Sequence, residues 1–270
     1  MADCNHDCSS CGVEGCGERQ EIKKLVPHEG TSIKKVIAII SGKGGVGKSM
    51  VTSLLASALA KEGKKVAIMD ADVTGPSIPQ AFGLKDAMAT QDENGLYGVE
   101  SKLGIKIMSV NLLLEHNDDP IIWRGPIISS FVQQLFTDVN YGELDYLLID
   151  MPPGTGDVPL TVFQFLPIDG IIVVTSPQEL VSMVVSKSIN MAQMMYVPII
   201  GMIQNMAYAI CPHCGERIEV FKQDDSLKNK LPLLAEIPLD PKLAKLIDEG
   251  RVEEYPSDVL FSTITKLDTL

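Results

Sequence analysis

The apolar residues of this chain first gather in an unbroken block. Residues 36–40, Val-Ile-Ala-Ile-Ile, form a continuous and mostly β-branched run, which predicts a strand covered on both faces. The period then changes. Across residues 47–60, Val51, Leu54, Leu55 and Leu59 recur at helical spacing and predict a helix with one apolar face. Solid apolar runs return at 66–69, 146–149, 170–174 and 199–203, with helical stretches between several of them, such as 127–139 and 180–194. This alternation implies an α/β fold, with a mostly parallel central sheet and helices on both faces. Residues 85–120 read as an insertion with a hairpin around Asn94-Gly95. Residues 206–230 read as a second excursion. Near the end, Val259, Leu260, Phe261, Ile264 and Leu267 make an apolar stripe that predicts a helix packed on the core. Residues 1–30 have few large apolar side chains and no period. They form a separate cysteine-rich segment, either disordered or ordered by metal, ahead of a main domain at 31–270.

The first predicted strand and helix are joined by Gly42-Lys43-Gly44-Gly45-Val46-Gly47-Lys48-Ser49. This fits the phosphate-binding pattern G-x-x-x-x-G-K-[ST] in its proper context. Glycines let backbone N–H groups wrap a phosphate, and the helix N-terminus adds a favourable dipole. Lys48 is expected to reach the β- and γ-phosphates of ATP, and Ser49 to ligate Mg²⁺, with Met50 following them into the helix. Asp150 ends a strand after four apolar residues, the Walker B arrangement that holds Mg²⁺ directly or through water. Asp70 and Asp72 follow another strand, at the edge where open α/β sheets bind ligands. The competing reading for these carboxylates is helix capping. The segment Gly154-Thr155-Gly156-Asp157 is placed to move with the γ-phosphate.

Charge and cysteines change the picture further. The formal net charge is -12, so an acidic surface disfavours DNA or RNA as a partner. No apolar run approaches the roughly 18 residues needed to span a membrane, and the polar start is unlike a signal peptide. The expectation is a cytoplasmic protein with no membrane partner. In a reducing compartment the six cysteines favour metal over disulfides. Cys211-Pro212-His213-Cys214-Gly215 is a compact turn offering two thiolates, half of a usual ligand set. Zinc, a thioredoxin-like redox pair, or completion by the N-terminal cysteines are alternatives to an iron–sulfur cluster. Cys4, Cys8, Cys11 and Cys16 are themselves four thiolates within one short stretch. They suit a second cluster, zinc, or transient metal binding.

In combination, the loop 42–49, the segment Asp70-Ala71-Asp72-Val73-Thr74-Gly75-Pro76-Ser77, the run Trp123-Arg124-Gly125-Pro126, residues 144–157 and the Cys211/Cys214 pair resemble the Mrp/ApbC family of iron–sulfur cluster carrier ATPases. The resemblance spans about residues 30–255. It implies that Lys43 crosses a homodimer interface to the partner's nucleotide, that Asp72 positions the attacking water, and that Asp70 supports the metal. It implies adenine contacts from Asn205 and from a loop containing Pro238 and Asp240. Lys43, Lys48 and Asp72 would then be the catalytic set of a slow ATPase. A two-fold axis would bring two Cys211/Cys214 pairs together around a bridging 4Fe–4S cluster, which is passed to apo iron–sulfur proteins. The N-terminus resembles the cytosolic scaffold branch of the family, although here the first cysteine lies closer to the second. The rival readings are a MinD- or ParA-like positioning ATPase, a zinc-binding P-loop ATPase, and ATP-coupled electron transfer as in the nitrogenase iron protein.

Overall fold

The computed structural model describes residues 23–73, 75–114, 123, 125–177, 183–219 and 231–270. Cys4, Cys8, Cys11, Cys16, Thr74 and Arg124 lie outside the described residues. In chain order the elements are β1 (Ser32–Ser41), α1 (Lys48–Lys61), β2 (Val66–Asp70), α2 (Ile78–Ala81), β3 (Thr90–Asp92), β4 (Gly95–Tyr97), β5 (Val99–Glu100), β6 (Lys106–Met108), α3 (Gly125–Thr137) and β7 (Glu143–Asp150). They continue with α4 (Asp157–Phe165), β8 (Gly170–Thr175), α5 (Met183–Met194), β9 (Ile199–Gln204), β10 (Ala209–Ile210), β11 (Arg217–Ile218), β12 (Leu233–Glu236), α6 (Pro241–Asp248) and α7 (Phe261–Asp268).

Eight strands form one sheet in the order β12-β9-β8-β1-β7-β2-β6-β5. Every neighbouring pair is parallel except β5 with β6. The last six residues of β1 are buried because helices cover both faces. Val36, Ala38 and Ile40 enter one core, together with Val132 of α3 and Val162 of α4. Ile37 and Ile39 enter the other, with Leu55 of α1 and Ile264 of α7. Such strands read as solid apolar runs because neither side meets water.

Helix α1 departs from the one-faced expectation. Its buried residues include Thr52, Ser53 and Ser57 as well as the apolar stripe. It is wedged between the sheet and the chain's last helical segments. The buried hydroxyls are accommodated by bonding back one turn, Ser53 to the Ser49 carbonyl at 2.8 Å and Ser57 to the Ser53 carbonyl at 2.8 Å.

The expected hairpin around Asn94-Gly95 is present, with β3 antiparallel to β4 and Asp92 opposite Gly95. Residues 85–120 are nevertheless more than an insertion, because β6 extends the main sheet beside β2 and β5 closes its edge. With three residues and two, these strands are too short to show a period. At the other end, packing reaches back before residue 31. The Lys24 ammonium donates to the Phe163 carbonyl at 2.8 Å and the Leu25 amide to the Phe165 carbonyl at 2.7 Å.

The C-terminal helix α7 packs on the core as expected, through Ile264 and Leu267, while Phe261 faces outward. Asp268 anchors it, accepting from Tyr146 at 2.8 Å and Lys64 at 2.7 Å. Among the described residues no helix is long and apolar enough to cross a membrane.

Leu59 of α1 is wholly buried in this core. Leu59→Ala is expected to destabilise the fold by about 2–5 kcal/mol, from lost apolar transfer plus an unfilled cavity. Urea unfolding should show a lower midpoint with an unchanged slope.

Candidate functional site

The carboxyl ends of the parallel strands converge on the loop between β1 and α1. Gly47 sits at the start of α1 with a φ of 82°, a conformation that glycine takes without steric cost. A side chain there would also collide with Asn205, whose Nδ2 stands 2.3 Å from where a Cβ would lie. The loop borders a cavity of about 460 Å³ lined by Lys43, Gly44, Lys48, Ser49, Met50 and Asp72, with Pro153 and Asp248 opposite. Lys43 is exposed, whereas Lys48 is buried.

At the centre of the site is Asp150, with no exposed surface. Its Oδ2 accepts from the Lys48 ammonium at 2.6 Å and from the Ser49 hydroxyl at 2.6 Å. Its Oδ1 accepts from the Thr52 hydroxyl at 2.6 Å. Lys48 also lies 3.9 Å from Asp72 Oδ2. Hard oxygen donors from Ser49, Asp150 and Asp72, beside a loop of backbone N–H groups, are the donor chemistry that Mg²⁺ and a nucleotide phosphate need. The expected residues therefore fit the group expected of them.

Asp70 is the neighbour of Asp150 across β2 and β7, and the two are paired in register. Burial, followed by the adjacent Asp150 charge, pushes its carboxyl up to about 8. Ser109 donates to its Oδ2 at 3.0 Å, and the Asp72 amide donates to its Oδ1 at 3.2 Å. Asp70 is thus buried and proton-bearing, while Asp72 lines the cavity.

Asn205 follows β9 directly, beside the loop. Its Nδ2 donates to the Val46 carbonyl at 2.8 Å, and its Oδ1 is buried with no partner among the described residues. Asp240 caps α6 by accepting from the Lys242 amide at 2.8 Å, and it also takes the Tyr255 hydroxyl at 3.0 Å. Pro238 lies beside it on a cavity that also touches the cysteine turn. Asp157 opens α4 and packs on the start of α3. Its Oδ2 is 2.3 Å from where a Gly125 Cβ would stand.

Cys211 and Cys214 sit in the turn of the β10–β11 hairpin, closed by hydrogen bonds from the Cys211 amide to the Glu216 carbonyl and from the Gly215 amide to the Cys211 carbonyl, both 2.9 Å. Both are free thiols, Cys214 exposed and Cys211 partly so. Backbone N–H groups of Cys214 and His213, and then the Cys214 thiol, hold the Cys211 thiol below its usual range. Among the described residues no group of three or more His, Cys, Asp or Glu side chains could hold a metal. The hairpin itself presents two thiols, Cys211 and Cys214.

The sequence reading missed Thr52 and Ser109, and it named Gly125 only within the run Trp123-Arg124-Gly125-Pro126. Thr52 lies one helical turn beyond Lys48 and so faces the same way, a periodicity signal that was available. Ser109 follows β6, which showed no pattern of its own.

A strand, a glycine loop and a helix over a buried Walker B carboxylate define a P-loop nucleotide-binding protein. Comparison with known proteins narrows the class. Residues 32–267 match the family model described as ParA: NUBPL iron-transfer P-loop NTPase. The chain is 45% identical over 262 residues to the iron-sulfur cluster carrier protein of Clostridium perfringens, covering 93% of this chain and 92% of that one. It is 38% identical to the cytosolic Fe-S cluster assembly factor CFD1 of Kluyveromyces lactis, covering 90% and 92%. Among solved structures, a nucleotide-binding protein from Archaeoglobus fulgidus in complex with ADP, with cobalt found, superposes with a TM-score of 0.74 at 47% identity, over 83% of this chain and 89% of that one. MinD of Aquifex aeolicus in its MinC complex shares the fold, with a TM-score of 0.62 at 24% identity over 87% and 96%. The chain belongs to the NUBPL iron-transfer family of P-loop NTPases, the iron–sulfur cluster carriers.

The raised Asp70 carboxyl has a consequence for stability. Between its ordinary value of 3.8 and about 8 the folded chain holds a proton that the unfolded chain has released. Stability is therefore lost as pH rises through that window. Asp70→Asn, which cannot titrate, should show a shallower fall in urea midpoint between about pH 5 and about pH 8.5 than the parent chain. Parallel profiles would contradict the buried, proton-bearing assignment.

Proposed function

We propose that this chain is a cytoplasmic, ATP-dependent iron–sulfur cluster carrier that works as a homodimer. It holds a 4Fe–4S cluster as cargo between two Cys211/Cys214 pairs and passes it to apo iron–sulfur proteins. One observation carries the reading: a nucleotide loop with its full set of charged residues and a two-thiol hairpin emerge from the same carboxyl edge of one sheet. Two thiols leave a tetrahedral metal or a cubane cluster short of ligands. A second copy related by a two-fold axis supplies the same two again. The likeness to an ADP-bound protein at 47% identity supports nucleotide binding here.

Each residue's position supports the part proposed for it. Phosphates entering the loop compete with Asp150 and Asp72 for the Lys48 ammonium, which lies 2.6 Å from one and 3.9 Å from the other. Ser49 and Asp150 are placed to hold Mg²⁺, which when bound neutralises charge on the β- and γ-phosphates. Asp72, on the cavity wall, orients the attacking water. Lys43, exposed at the mouth, reaches the partner's nucleotide and supplies positive charge where the transition state gains negative charge. The unpaired Oδ1 of Asn205 is an acceptor suited to the exocyclic amine of adenine, with Pro238 and Asp240 flanking the base. The depressed Cys211 thiol favours the thiolate that binds iron. Cys4, Cys8, Cys11 and Cys16 add a second set of thiolates for a further cluster.

Anaerobic reconstitution with iron and sulfide tests the cargo. The full chain should gain a broad absorbance near ~400 nm and about two iron atoms per chain that are lost in Cys211→Ala/Cys214→Ala. A colourless protein with stoichiometric zinc would leave the nucleotide site intact and overturn the carrier role. For the ATPase, Lys43→Ala is expected to lower the hydrolysis rate by about 100-fold or more while ADP still binds. Unchanged hydrolysis would remove Lys43 from the catalytic set.

A further inference from the structure

Thr52 lies outside the glycine loop, and the phosphate-binding pattern does not specify it. It is nevertheless wholly buried in α1 and points at the heart of the site. Its Oγ1 stands 2.6 Å from Asp150 Oδ1 and 3.1 Å from the Lys48 carbonyl. A hydroxyl carries a single proton. The shorter contact has the length of a charge-assisted O–H···O⁻ bond, so the proton goes to the carboxylate.

The two oxygens of Asp150 are thereby divided. Oδ1 is taken by Thr52, and Oδ2 faces Lys48 and Ser49, each at 2.6 Å. Rotation about the terminal torsion of an aspartate is soft, so the carboxylate plane must be fixed from outside. The buried hydroxyl of Ser109 is committed to Asp70, and that of Ser41 to the Lys43 carbonyl.

We propose that Thr52 is a positioning residue for Mg²⁺. By holding Oδ1 it keeps Oδ2 of Asp150 turned toward Ser49, where the ion and the nucleotide phosphates meet. It acts on the metal only through Asp150. The inference rests on the nucleotide-site reading given above and extends it by one shell. Groups that orient a metal-ligating carboxylate typically contribute 10–100-fold to metal affinity.

The test uses the full-length chain, with ADP binding followed by calorimetry across a Mg²⁺ titration and in EDTA. Thr52→Val keeps the volume and loses the hydroxyl. It should raise the Mg²⁺ concentration that half-saturates the tightening of ADP binding by about 10-fold, while ADP affinity in EDTA stays within about twofold. Thr52→Ser restores the hydroxyl and should return the Mg²⁺ dependence to within about threefold of the parent. Thr52→Ala is expected to repeat the valine result, so the test does not hang on one substitution folding well. A valine variant with the parent's Mg²⁺ dependence overturns the proposal. So does an equal loss of ADP binding with and without Mg²⁺ accompanied by a lowered melting temperature, since that marks a packing role alone. A parent chain whose ADP binding ignores Mg²⁺ overturns the proposal together with the metal-site reading beneath it.

Discussion

A negative charge buried in the middle of the sheet's carboxyl edge sets the terms for everything around it. Asp150 has no exposed surface, and an ionised carboxylate out of water is tolerated only when it is paired and hydrogen-bonded. Lys48, Ser49 and Thr52 meet that demand, and all three belong to the first turns of α1. The helix therefore has to start where it does and lie as it does against β7. Removing Lys48 would strand a buried charge, a defect costing about 3–5 kcal/mol in comparable pairs. The geometry that binds nucleotide is thus also the geometry that keeps the fold consistent.

The same constraint explains why neighbouring carboxylates take different roles. Parallel pairing puts Asp70 beside Asp150 in register. Two buried like charges at that spacing resist ionising together. Asp150 faces the Lys48 ammonium. Asp70, facing Ser109 and the Asp72 amide, keeps a proton. Two residues further on, Asp72 reaches the cavity and stands within 3.9 Å of Lys48. Environment, not residue type, sets these neighbouring carboxylates apart.

Much of this was legible before any coordinates. The solid run at 36–40 pointed to a doubly covered strand, and the glycine loop after it singled out Lys48 and Ser49. Asp150 was marked by the apolar residues ahead of it. What stayed hidden depended on contacts between distant segments. The strand β6 is three residues long and carries no period, so Ser109 had no address in the sheet until β6 was seen beside β2. Gly125 entered only as part of a motif, and the approach of Asp157 shows why no side chain fits there. The roles of Asn205 and Asp240 came from resemblance alone. The structure adds local duties, a bond to Val46 and a helix cap, that the residue types did not reveal.

The position of Asn205 has a mechanical consequence. Its amide joins the nucleotide loop, through the Val46 carbonyl, to the end of β9. Four residues later the chain enters the hairpin that carries Cys211 and Cys214. Between them, the Ala207 amide is tied to the Ile237 carbonyl at 2.9 Å and the Leu239 amide to the Tyr208 carbonyl at 2.7 Å. The base of the hairpin is thus stitched to the segment following β12, which also carries Pro238 and Asp240. Two sites that share a short run of backbone, bonded at both ends, do not move independently. A nucleotide that displaces Val46 or the 237–240 segment therefore acts on the base of the thiol hairpin through a few fixed hydrogen bonds, without a long relay through the core. Under the proposed function, that proximity is a physical basis for linking the nucleotide's state to the grip on a cluster.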